Sequence, residues 1–99
     1  AIQRKAALIP AYLDTEAWIL YKMGRHEEAR VVMERVLRLM KMNGRSTGLA
    51  EIFYHAGMIR RANGDHPGAR LAFRRCAASA YTGLYVRRCR VALLQGGGS

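Results

Sequence analysis

Acidic residues are scarce in this chain of 99: seven Asp and Glu stand against seventeen Lys and Arg, a formal net charge of +10. A surface so short of carboxylates points to an acidic partner or to nucleic acid. Long apolar runs are also missing. None approaches the roughly 18 residues that a membrane-crossing helix needs, so no membrane span is expected. With only two prolines, helices meet few forced breaks. The two cysteines, Cys76 and Cys89, have no histidine at zinc-ligand spacing and are too few for the disulfide framework of a small secreted domain. They read as small apolar residues on two helices, with a facultative disulfide as the alternative. The first residues, Ala1-Ile2-Gln3-Arg4-Lys5, lead into no apolar core of a signal peptide. Without an initiator Met, a processed protein or an excised fragment is expected, and among compartments the cytoplasm is favoured.

Catalytic signatures are absent too. The chain has no glycine-rich phosphate loop, no Gly-x-Ser-x-Gly elbow and no His-Glu-x-x-His helix. Asp14, Glu27 and Glu51 are not spaced as an acid–base pair. Neither an enzyme nor a cofactor nor a metal site is expected.

What is there is helix. Hydrophobic residues make up 51% of the chain, and Ala, Leu, Arg and Met, all strong helix formers, dominate it. Five helical segments can be read. The first runs from about Ala11 to Met23, with Leu13, Ala17 and Leu20 on one face. The second, from about His26 to Met42, carries Ala29, Val32, Met33, Val36, Leu37 and Met40 on its apolar stripe. Asn43-Gly44-Arg45-Ser46 reads as a turn, with Ser46 or Thr47 as the next N-cap. The third, from about Gly48 to Ala62, faces Leu49, Phe53, Ala56 and Gly57 inward. Asp65 caps the fourth, Pro67 sits in its first turn, and it buries Ala69, Ala72, Phe73, Cys76 and Ala77. The fifth runs from Leu84 to Gln95 and is apolar on several faces. Residues 1–10 are expected as a partial helix that Pro10 ends or kinks, and 96–99 as a flexible linker or an appended scar.

One pattern occurs twice. Gly24-Arg25-His26-Glu27-Glu28-Ala29-Arg30-x-x-Met33 returns forty positions later (24 to 64) as Gly64-Asp65-His66-Pro67-Gly68-Ala69-Arg70-x-x-Phe73. Self-similarity at such a period signals stacked supersecondary units. In addition, Phe53-x-x-Ala56-Gly57 followed by Ala69-x-x-x-Phe73, and Leu13-x-x-Glu16-Ala17-x-x-Leu20 followed by Ala29-x-x-x-Met33, resemble the tetratricopeptide repeat. Glu16 and Arg60 depart from that pattern, neither copy ends in proline, and the forty-residue period leaves about six extra residues between Met40 and Leu49.

The resemblance covers residues 11–95. It implies an all-α, right-handed helix-hairpin solenoid of about five helices, acting as a protein–protein interaction module. The first helix of each pair lines the concave face in such folds. The groove residues so implied are Asp14, Thr15, Trp18, Tyr21 and Lys22, then Glu51, Tyr54, His55, Met58 and Arg61. Tyr85, Arg88 and Cys89 join them if the fifth helix continues the series. The alternative role for Trp18 and Tyr54 is packing. The expected occupant is a protein or peptide segment, acidic in view of the charge. Two repeats are few, and the last helix is apolar nearly all round, so a homodimer or a longer natural chain is expected. From Arg60 onward there are eight arginines and one acid, Asp65, which makes a nucleic-acid-binding helical module the alternative function.

Overall fold

The structure, a computed structural model, describes residues 2–43, 49–79 and 83–96, and the side chains of 10–41, 50–79 and 83–95. Among them are five α-helices and no strand: α1 (Ile2–Lys22), α2 (His26–Asn43), α3 (Leu49–Ala62), α4 (His66–Ala77) and α5 (Leu84–Gly96). They group into two compact units, Ala1–Thr47 and Gly48–Ser99. Unit one is the antiparallel hairpin of α1 and α2. In unit two α4 packs on α3, and α5 packs on both.

The duplicated sequence pattern is a duplicated turn. Gly24 and Gly64 both sit at φ 81°, the left-handed region that a side chain disfavours. Arg25 N–H donates to the Leu20 carbonyl at 2.9 Å, and Asp65 N–H to the Arg60 carbonyl at 2.9 Å. Gly24 N–H and Gly64 N–H donate to the carbonyls of Tyr21 and Arg61 at 3.0 Å. This pair of bonds is the Schellman motif, which satisfies the last carbonyls of a helix and reverses the chain.

The two turns lead into different helix starts. Glu27 and Glu28 occupy the first turn of α2, where the helix dipole favours negative charge. The first turn of α4 holds Pro67 and no acid, and the Asp65 side chain caps it by accepting from Gly68 N–H at 3.0 Å. Arg60, a departure from the repeat pattern, donates from Nη1 to the Gly68 carbonyl at 3.1 Å and so ties α3 to α4.

The cores take in part of the expected stripes and add Asp14, Ile52, His55 and Ile59, while Phe53, expected inward, is half-buried. Ala17, Ala29, Met33 and Val36 are wholly buried in unit one. Ala56, Ile59, Ala69, Ala72, Phe73, Cys76, Val86 and Cys89 are buried in unit two. Gly57 is there for a close approach: a Cβ on it would collide with the Phe73 ring.

Three expectations need correcting. Pro10 lies inside α1 and does not end it, so residues 2–22 are one helix. Asn43 belongs to α2, and Gly96 to α5. Cys76 and Cys89 are buried as expected, but they are bonded to each other, so the disulfide alternative is the one realised. The proposed caps Ser46 and Thr47, and residues 97–99, lie outside the described residues.

Candidate functional site

In unit two the expected groove residues converge. Tyr54 comes from the middle of α3, with Met58 and Arg61 on successive turns of the same face. Tyr85 and Arg88 come from α5. Arg88 lies 5.8 Å from the Tyr54 ring centre and 5.7 Å from that of Tyr85, a cation–π arrangement with both rings. The two rings are themselves 5.8 Å apart. Tyr85 Oη donates to Glu51 Oε1 at 3.1 Å, which fixes Tyr85 and occupies that carboxylate. Arg61 donates from Nη2 to the Met58 sulfur at 3.2 Å and rests on the Phe73 ring, 5.6 Å from its centre.

Between α3 and α5 lies a groove of about 340 Å³, within the range of small ligand sites; Tyr85 and Glu51 are not among its lining residues. Tyr54, Met58 and Arg61 form one wall; Leu84, Arg87, Arg88, Val91, Ala92 and Gln95 form the other. The α5 positions 84, 88, 91 and 95 keep helical spacing, so one face of the helix supplies the wall. Leu84 and Val91 are about half exposed, at 51% and 50%. The lining includes apolar side chains and three guanidiniums and has no carboxylate.

Other expected residues stand elsewhere. His55 is buried, at 4% exposure, with its ring 6.0 Å from those of both Tyr54 and Tyr85, the latter edge-on. It lies on the packed side because the buried stripe of α3 takes in Ile52, His55, Ala56 and Ile59 together. Asp14 is buried as well, at 6%, since α1's buried stripe passes through Pro10, Asp14 and Ala17. Cys89 faces α4 through its disulfide and is not among the residues lining this groove.

Unit one gathers the rest. Trp18 stacks on Tyr21 at 4.7 Å, Lys22 lies 5.0 Å over the Trp18 ring, and Tyr21 lies 5.3 Å from His26. Thr15 is exposed, with its hydroxyl donating to the Ala11 carbonyl.

Sequence reasoning missed Leu84, Arg87, Val91, Ala92 and Gln95. Their spacing was visible, but a helix apolar on several faces does not show which face is left open. Among the described residues no helix is long and apolar enough to cross a membrane. Comparison of the chain with models of protein families, with curated proteins and with solved structures finds no match.

Proposed function

We propose that this chain is a non-enzymatic interaction module of tetratricopeptide kind, two helix hairpins and a further helix in a right-handed solenoid. Its α3–α5 groove binds an acidic protein segment. The observation that carries this reading is the lining itself: Tyr54, Met58, Leu84 and Val91 give apolar contact, while Arg61, Arg87 and Arg88 stand around them with no carboxylate among the lining residues. Aromatic, Met and Arg side chains are those enriched where proteins meet. The wall from Leu84 to Gln95 is about 16 Å long at 1.5 Å per residue, the length of about three helical turns. An amphipathic helix with acidic flanks matches both length and charge.

The test is a titration with a labelled peptide of Glu and Leu arranged so that one helical face is apolar, monitored by amide NMR. Shifts should gather at Tyr54, Met58, Arg88 and Val91 and be lost in an Arg87→Glu, Arg88→Glu variant. Both positions are exposed, so the fold should survive. Shifts scattered over both units, or unchanged in the variant, would count against the groove.

Self-association belongs to the same proposal. Tyr12 and Ile19, at 77% and 54% exposure, fall on one face of α1 by helical spacing, and Met23, at 61%, follows in the turn just past its end. A second copy covering that stripe is the expected homodimer.

One observation favours a nucleic-acid surface as the second reading. Arg70, Arg74 and Arg75 on α4 and Arg87 and Arg90 on α5 are all exposed. Phosphate contacts would make affinity for a generic oligonucleotide fall steeply with salt, whereas apolar docking of a peptide would hold.

A further inference from the structure

A second, smaller cavity of about 30 Å³ lies at the other side of Arg61, lined by Arg61, His66 and Arg70 over Ala69, Phe73, Ala92 and Leu93. That is room for about two water-sized groups, so a tetrahedral anion would seat two oxygens there and keep the others toward solvent. Three basic side chains converge on it: Arg61 from the last turn of α3, and His66 and Arg70 from one face of α4, four residues apart. No carboxylate lines the cavity, and among the described residues no salt bridge engages any of the three. The guanidiniums of Arg61 and Arg70 are like charges, and their repulsion is relieved when an anion sits between them.

The duplicated turn supplies a control within the same chain. At the matching positions of unit one stand Tyr21, His26 and Arg30, and Glu27 and Glu28 stand where unit two has Pro67 and Gly68. There Arg30 is 4.0 Å from Glu27, Arg25 pairs with Glu28 at 2.8 Å, and the Tyr21 ring lies against His26. Relative to that copy, the second turn lacks both glutamates and has a guanidinium in place of the phenol. The same backbone frame carries two carboxylates beside Arg25 and Arg30 in one copy and a single carboxylate, Asp65, taken up by the Gly68 N–H, in the other.

We propose that Arg61, His66 and Arg70 form a binding site for a doubly charged tetrahedral oxyanion, a phosphoryl monoester or inorganic phosphate. The side chains do this work. Pro67 has no N–H to offer and the Gly68 N–H is already given to Asp65, so the site is not a backbone cradle at a helix end. The positive end of α4 adds to the field. Because Arg61 lines both this cavity and the groove, a phosphorylated residue on a segment lying in the groove would reach the site. That last step rests on the groove reading, whereas the oxyanion site does not.

Two arms test it. Inorganic phosphate, titrated against acetate at equal ionic strength, should shift the amides of Arg61 and of His66–Arg70, and Arg70→Gln should weaken its binding about tenfold, the loss of one charge-assisted bond. Arg70 is exposed, so the variant should fold. Shifts spread evenly over the arginines of α4 and α5, or an unchanged affinity in the variant, would overturn the site. In the second arm the Glu and Leu peptide is compared with its phosphoserine form. Arg70→Gln should keep affinity for the plain peptide and lose the gain from phosphorylation. Phosphate binding with no binding of either peptide would leave the site standing and remove the groove.

Discussion

The sulfurs of Cys76 and Cys89 join α4 to α5 inside the stripe by which α5 is held. α5 also buries Val86 and Ala92, and its Tyr85 and Leu93 are half-buried against the same cluster. The covalent bond therefore adds to packing that α5 already makes. It also positions a groove wall, because Arg88 is the immediate chain neighbour of Cys89. Sγ of Cys76 lies 3.3 Å from the Tyr85 carbonyl, so the bridge touches the first turn of α5.

Reducing the bond, or replacing both cysteines by Ala, should lower unfolding free energy by about 3 kcal/mol, the chain-entropy value for a loop of this length. Hydrogen exchange should show α5 losing protection before α3 and α4 do. Equal protection of the three helices in the reduced chain would show that packing alone secures α5. Bonds of this kind persist in oxidising compartments.

Gly57→Ala should destabilise the chain by about 1–3 kcal/mol, because its methyl would enter the space of the Phe73 ring. The same methyl is present at Ala17, the matching position in unit one, where the partner position holds the flexible Met33. A double change, Gly57→Ala with Phe73→Met, should recover part of the loss in urea denaturation. No recovery would separate the two residues energetically.

Asp65→Ala removes the cap on Gly68 N–H and should cost about 1 kcal/mol, read as a lower urea midpoint with an unchanged slope. Arg25→Ala, at the matching position, should do less. Its pairing with Glu28 is an exposed surface bridge, for which about 0–1 kcal/mol is typical.

Ile19→Lys with Met23→Lys should turn a dimer into a monomer by light scattering at high micromolar concentration, if the α1 stripe is where copies meet. A wild-type chain that is monomeric throughout that range would rule out self-association.

The helices were legible because their punctuation is chemical. Gly24 and Gly64 mark chain reversals that only a left-handed residue makes easily, and Asp65 with Pro67 announces a helix start. The small residues Ala17, Gly57, Ala29 and Ala69 marked the close packing. The site was legible in part. Tyr54, Met58 and Arg61, and Arg88 if the fifth helix continued the series, were named as what the resemblance implies for residues turned away from the buried stripe. His55 and Asp14 were misplaced because a polar residue inside an apolar stripe looks like its edge. The Cys76–Cys89 bond could not be fixed, as a separation of thirteen suits pairing across a helix turn and independent burial alike.

The groove is tested most directly by selection from a random displayed peptide library on the oxidised chain, with the Arg87→Glu, Arg88→Glu variant as counter-screen. A basic, apolar-floored groove should enrich acidic sequences with apolar residues at helical spacing, bound by the wild type and not by the variant. Enrichment of sequences without excess acid, or binding that survives the double charge reversal, would contradict it.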